Sequence, residues 1–394
     1  MIISEQMYSG NPHHGSLNPL TAKPFRTILL TGLLCLLLLP VSAWGEYTRV
    51  YEGEGNPLEG INVGIFSAPT FGDIDRDGDA DLLIGTSTGT IYYFENTGSA
   101  ESATFTERTD GDNPFASISG DTHISPVLVD INGNGDIDTL VTGNSAGTLR
   151  YFEITESSGT IEVNPGTVNP FEGITVEFYS APAFADIDGD GDQDLFVGKY
   201  GSYIDYYKNA GTSAAPSYPT TPTQQIKADA FNNEYRLKPA FSKIDKDDEK
   251  IDMIIGNDNG SIFYFQNTSV DNSSVQFEKR IQSSDNPFNS FSGLTFGAPA
   301  FVDINGDGDE DIFIGMNTGN IAFIRNGVDT CGKGDVDCSG TVDLADAILA
   351  LRVLVDATTD DENGNIQVNL SDVNGDGSIG LEEVIYILRD IATN

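Results

Sequence analysis

Apolar residues along this chain come in short bursts separated by glycine, asparagine and aspartate. The first complete set runs from Pro69 to Ile74, then from Asp81 to Gly85, turns at Gly89, runs again from Ile91 to Glu95, closes on Asn96-Thr97-Gly98, and ends with a burst around Ala103 to Arg108. Bursts of this length, rich in Val, Ile, Phe and Tyr and punctuated by turn residues, predict β-strands.

The set recurs along the chain. SAPTFGDIDRDGDADLLIG from Ser67 is followed by SPVLVDINGNGDIDTLVTG from Ser125, SAPAFADIDGDGDQDLFVG from Ser180 and GAPAFVDINGDGDEDIFIG from Gly297, with a weaker copy, KPAFSKIDKDDEKIDMIIG, from Lys238. The loops open at Asp73, Asp130, Asp186, Lys243 and Asp303, in steps of 57, 56, 57 and 60 residues. An Asn-Pro pair recurs at Asn56, Asn113, Asn169 and Asn286. Four strands per unit of this period predict propeller blades. The fifth unit stops after its third strand, Ile321 to Asn326, while an unclaimed strand, Tyr47 to Tyr51, stands before the first. The expected fold is therefore mainly β: a five-bladed propeller over residues 46–328, closed by the N-terminal strand so that no sheet edge stays open between first and last blades. An open β-solenoid is the alternative arrangement of the same repeats.

Four of the five units carry a loop of the pattern D-x-D-x-D-G-D-x-D, with asparagine in some of the aspartate places. The first is Asp73, Asp75, Asp77, Asp79 and Asp81; the second Asp130, Asn132, Asn134, Asp136 and Asp138. The third is Asp186, Asp188, Asp190, Asp192 and Asp194, and the last Asp303, Asn305, Asp307, Asp309 and Asp311. Alternate side chains on a curved loop can converge several oxygens on one hard cation, with Gly78 supplying the sharp turn. The expected ion is calcium, because magnesium dehydrates reluctantly and tolerates crowded carboxylates poorly. The seventh position commonly ligates through its carbonyl, so Asp79 is expected to point outward. The fourth loop opens on Lys243, has Asp248 in place of glycine and gains one residue before Asp252, so no calcium is expected there, and Lys243 is expected to supply an internal positive charge.

These units resemble the FG-GAP/VCBS repeats of bacterial secreted proteins, related to the calcium-bearing blades of integrin α-subunit propellers. The resemblance covers residues 47–327 and implies a calcium-stabilised propeller of a kind that serves adhesion, contact with carbohydrate and, in some lyases, catalysis.

After Asn326 the composition changes. Asp335, Asp337, Ser339, Thr341, Asp343 and Asp346 follow the ligand positions of an EF-hand loop, with Gly340 at its turn and a helix expected from Ala347 to Val355. Asp372, Asn374, Asp376, Ser378 and Glu383 form a second such loop, with a helix from Val384 to Ile391. Two loop-helix halves over residues 335–391 resemble a type I dockerin, and residues 329–394 are expected to form that domain. The resemblance implies two calcium ions and a cohesin-like partner. Leu344 and Ala345 depart from the polar recognition pair of many cellulosomal dockerins, and a structural cap is the alternative role. In all, about six calcium ions are expected, four in the propeller and two in the tail.

The formal charge of -40 excludes nucleic acid and anionic membrane surfaces as partners, since both repel it. Residues 1–45 read as an export signal: Lys23 and Arg26, then the apolar run Ile28 to Leu39, then small residues up to Gly45. A retained anchor is the alternative. The mature protein is expected to be secreted or at the cell surface, with the periplasm also open to it, and not membrane-bound once the signal is removed. In an oxidising compartment Cys331 and Cys338 are expected to pair.

Little points to catalysis. Gly143-Asn-Ser145-Ala-Gly147 matches a serine-hydrolase motif but falls in a strand-to-strand turn, and His123 is the one histidine after the signal. The acids are nearly all assigned to metal. The expected function is a non-catalytic binding or adhesion protein for a glycan or surface protein, with Tyr200, Tyr203 and Tyr218 as candidate sugar platforms. The alternative is a polysaccharide-degrading enzyme or a subunit of a carbohydrate-degrading assembly.

Overall fold

The computed structural model describes residues 47–50, 56–100, 102–228, 236–245, 248, 250–270, 274–281, 286–288 and 297–326. The chain divides into two units, Met1–Val41 and Ser42–Asn394, and every described residue lies in the second. The expected export signal, the paired cysteines and the dockerin-like tail fall outside the described residues.

Among the described residues, twenty strands form five four-stranded antiparallel sheets. The first blade holds β2 (Ala68–Gly72), β3 (Asp81–Gly85), β4 (Ile91–Asn96) and β5 (Phe105–Arg108). The second holds β6 (Ser125–Val129), β7 (Thr139–Gly143), β8 (Leu149–Ser157) and β9 (Thr160–Pro165). The third holds β10 (Ala181–Ala185), β11 (Asp194–Gly198), β12 (Tyr203–Tyr207) and β13 (Gln224–Lys227). The fourth holds β14 (Lys238–Ser242), β15 (Asp252–Gly256), β16 (Ile262–Asn267) and β17 (Phe277–Arg280). The fifth holds β18 (Ala298–Val302), β19 (Asp311–Gly315) and β20 (Ile321–Asn326), completed by β1 (Tyr47–Val50) from the other end of the array. Tyr47 lies opposite Asn326 and Val50 opposite Phe323. The innermost strands β2, β6, β10, β14 and β18 touch in sequence, and β18 touches β2 again, so the array is a closed ring. Those strands line an axial channel of about 180 Å³.

The second strand of every blade is buried along its whole length. Its two faces serve different cores, because side chains alternate along a strand. Leu83 packs with Leu128, Leu140 and Phe152 of the second blade, whereas Leu82 and Ile84 pack with Phe313 and Phe323 of the fifth. Five such clusters fill the five spaces between neighbouring blades. A strand covered on both faces has no polar face to present, hence the unbroken apolar runs at its centre.

The Asn-Pro pairs seat a plug in each space they enter. The Asn oxygen accepts the N–H of the residue two places on, at 2.9 Å in Asn56, Asn113, Asn169 and Asn286. That turn drives Leu58, Phe115, Phe171 and Phe288 into the core, each no more than 2% exposed.

Blades approach most closely at the glycine ending each second strand. A Cβ on Gly85, Gly143, Gly198, Gly256 or Gly315 would lie 2.0–2.4 Å from a carbonyl oxygen just ahead of the next blade's first strand. The glycine is thus needed for space. Gly143→Ala is expected to destabilise the protein by about 1–3 kcal/mol in urea unfolding, the range for overpacking. Gly111→Ala, where nothing lies within 4 Å, is the control and should change little.

Candidate metal centres

The aspartate loops join first and second strands, so they gather on one face of the ring. Each is folded by its own backbone. In the first, Asp73 Oδ1 accepts the Asp77 N–H at 3.1 Å and Oδ2 accepts the Gly78 N–H at 3.1 Å. Asp130, Asp186 and Asp303 also accept two or more loop N–H groups, always including that of the sixth-position glycine. That glycine has φ of +100° at Gly78 and +94° at Gly135, a backbone region that side chains rarely enter.

This curvature brings the first, third and fifth positions together. Asp73, Asp75 and Asp77 each offer an oxygen, and these lie within 4.8 Å of one another; Asp186, Asp188 and Asp190 do the same. In the second and fifth loops asparagines share these places. Asn134 Oδ1 accepts the Asp136 N–H at 2.8 Å and Asn305 Oδ1 the Asp307 N–H at 3.0 Å. Their carbonyl oxygens can supply the ligands that carboxylates supply elsewhere.

In the first and third loops the seventh residue lies inward, contrary to the expectation for Asp79, whereas the Asp136 side chain in the second loop is 43% exposed. Asp79 is 9% exposed and Asp192 8%, and each has one oxygen with no hydrogen-bond partner. Asp188 Oδ1 is a third such oxygen. The loop curls back over the blade and carries these side chains inward. A buried carboxylate oxygen without a donor is costly unless a cation faces it. The donor set therefore fits a hard cation, with the seventh side chain turned toward the cluster. Burial raises the carboxyl pKa of Asp79 and Asp192 to about 6, reinforced by the neighbouring loop aspartates.

The ninth position has a second employment. Asp81 Oδ1 accepts the Asn96 N–H at 2.8 Å, and Oδ2 accepts from the Ile74 N–H and the Tyr93 hydroxyl, both at 3.2 Å. Asp194 is held by Asn209 N–H and the Tyr206 hydroxyl, and Asp252 by Asn267 N–H and the Tyr264 hydroxyl. Asp311 accepts the Asn326 N–H at 2.7 Å, but Phe323 stands where a tyrosine would, and Asp311 Oδ2 has no hydrogen-bond partner. Asp138 instead accepts from Ile131 N–H, the Thr139 hydroxyl and Asn132. The tyrosine lies 12 residues and the asparagine 15 residues beyond the aspartate, a spacing that was legible in the sequence.

Other partners are less regular. Lys208 donates to Asp188 and, at 3.1 Å, to Asp190 in the third loop. Gln266, at the matching place in the fourth blade, donates to Asp245. Arg76 adopts φ of +64° where the second, third and fifth loops have glycine at +72°, +71° and +71°, and pairs with Asp136 of the next loop at 3.2 Å. Lys243 is exposed rather than internal, because the altered loop leaves it at the rim. It lines a cleft of about 640 Å³ with Asp245, Asp248 and Asp309.

On the side opposite the loops, Phe66, His123, Tyr179 and Arg236 meet at the mouth of the channel. The Arg236 guanidinium lies 4.6 Å from the Phe66 ring centre and 4.5 Å from that of Tyr179. Ser145 shares a hydrogen bond with Thr122 at 2.6 Å, while the His123 ring packs against Phe66 and Tyr179. Tyr200 and Tyr203 are 41% and 39% exposed, but Tyr218 is buried and its hydroxyl donates to the Gln193 carbonyl. Tyr218 is therefore a core residue and not a sugar platform.

Residues 73–141 and 130–197 match the FG-GAP-like repeat, so the chain carries repeats of that type. No curated protein matches it. Among solved structures it is similar to a lectin of Agrocybe aegerita that recognises non-reducing terminal N-acetylglucosamine, with 17% identity, a TM-score of 0.34 and 66% of this chain covered. The chain spans 65% of that lectin's length. It is also similar to the WD40 β-propeller domain of Doa1, with 9% identity, a TM-score of 0.33, and 68% of this chain and 96% of the other covered. BBS1N, solved in complex with ARL6DN, gives 12% identity, a TM-score of 0.30, and coverage of 73% and 88%.

Burial also raises the carboxyl pKa of Asp81, Asp194 and Asp311 to about 7 and that of Asp252 to about 6. A carboxyl whose pKa is higher folded than unfolded binds more protons in the folded state. It therefore costs stability as pH rises through the window between the two values. In chelator, the melting temperature is expected to rise as pH is lowered from 7.5 to 5.5. Saturating calcium should flatten that rise, because a bound cation competes with the protons; differential scanning calorimetry would read both.

Proposed function

We propose that this is an exported, calcium-loaded propeller of the binding or adhesion kind, with no catalytic role. The observation that carries the reading is the convergence of three carboxylates in the first and third loops beside buried oxygens that have no donor. Calcium suits such a site because it accepts six to eight oxygens in flexible geometry. The residues that would hold it are those at positions one, three, five and seven of the first, second, third and fifth loops, with the ninth-position aspartate closing the set. Calcium would supply the counter-charge that lets these loops stay curled against the blades.

The tail, with Asp335 to Asp346 and Asp372 to Glu383, would hold two further ions and serve as a docking module for a cohesin-like protein. The propeller would present its surface to a glycan or surface protein, with Tyr200 and Tyr203 as exposed aromatic platforms.

Equilibrium dialysis followed by elemental analysis is expected to give about six calcium ions per chain. Two or fewer at millimolar free calcium would overturn the reading. Chelation should lower the melting temperature, since ions bound only by the folded state stabilise it. Glycan-array retention without turnover is the expected behaviour of the mature protein, weakened in a Tyr200→Ala, Tyr203→Ala double variant. Calcium-dependent cleavage of a polysaccharide that persists through stringent purification would instead make it an enzyme.

A further inference from the structure

In the first, third, fourth and fifth blades an asparagine closes or just follows the third strand, and the residue before it lies beside that blade's own aspartate loop. In the first blade this residue is Glu95, which turns away to pair with Arg108 of β5 through two hydrogen bonds. In the third blade it is Lys208, whose ammonium reaches both Asp188 and Asp190. Those are two of the three carboxylates that converge in that loop, and Asp188 is 7% exposed. Gln266 makes the equivalent contact with Asp245 in the blade whose loop has lost the pattern. The contact is thus a recurrent position in the fold, filled by a cation in the third blade and by an amide in the fourth.

We infer that Lys208 is a tethered counter-ion that sets the third loop's affinity for a divalent cation below that of the first. The inference rests on the calcium reading of these loops. An ammonium and a calcium ion compete for the same carboxylates, so the ion must displace the lysine before it can be fully ligated. The displacement is feasible, because the Lys208 side chain is 38% exposed and can swing into water. The first loop has no such competitor among its described partners, and the residue at the matching place is Glu95, a carboxylate already paired with Arg108. Two consequences follow. The loops fill in sequence as calcium rises, the first before the third. And at low calcium the third loop keeps an internal counter-charge that the first does not have.

Hydrogen exchange with mass spectrometry on the full chain resolves the loops separately. The free-calcium midpoint for protecting residues 186–194 is expected to be about tenfold higher than for residues 73–81, the size of effect that one partly exposed unit charge exerts at contact distance. Lys208→Gln should lower the 186–194 midpoint about tenfold. Lys208→Arg, which keeps the charge, should leave it close to the native value, and the 73–81 midpoint should not move in either variant. Glu95→Lys tests the same rule in a different blade and should raise the 73–81 midpoint. A 186–194 midpoint indifferent to Lys208→Gln, while residues 73–81 still respond to calcium, would overturn the inference alone. Loops that both ignore calcium would overturn the calcium reading, and this inference with it.

Discussion

A carboxylate removed from water has to be given donors, and the blades are assembled around that requirement. Asp81, Asp194, Asp252 and Asp311 are each no more than 1% exposed, and each accepts the N–H of an asparagine at or just past the end of the third strand. The bond ties the end of the loop to the far side of the hairpin and fixes where the second strand starts. It persists in the fourth blade, whose loop has a lysine at its head and no glycine at its turn. Blade scaffold and aspartate loop are therefore separable. The ninth aspartate serves the backbone first, and the residues before it are free to differ between blades.

The molecule carries its acidity unevenly. A net charge of -40 would oppose a compact ring if the carboxylates were spread at random. They are instead concentrated in loops whose own N–H groups already point at the first aspartate. Cationic side chains are spent sparingly among them: Lys208 on the third loop, and Arg76 bridging the first loop to the second. Arg76 holds a left-handed backbone that glycine would adopt without strain, so its place reflects the ion pair more than the turn. Exposed as it is, that pair contributes little to stability and more to the register of neighbouring loops.

The propeller was legible in the sequence because its information is local. A burst of apolar residues, a fixed loop and a turn recur at nearly constant spacing, and alternation alone assigns each side chain to one of two interfaces. Even the closure could be read, since one unit lacked its outer strand and one strand lacked a unit. What escaped was direction. Asp79 was expected outward, yet it is turned in, as is Asp192 at the same place in the third loop. Lys243 was expected inside, yet the changed loop leaves it at the rim. Tyr218 was expected on the surface and fills the space beside Phe171 and Phe184. Lys208 reaches its loop from the following hairpin, a contact between residues that no local pattern places together.

Closure by β1 sets the order in which the molecule can be finished. The chain is synthesised from the end that supplies β1, but the partner of β1, the strand β20, is the last one in the array. The first strand made is thus the last to be seated. Until β20 arrives, the inner face of the first blade against Phe313 and Phe323 also stays open. Contacts across such a sequence separation are slow to form and leave apolar surface exposed meanwhile. The ring behaves like a clasp with its hook at one end and its eye at the other: a chain cut short anywhere before β20 loses one strand from its end and strands another at its beginning.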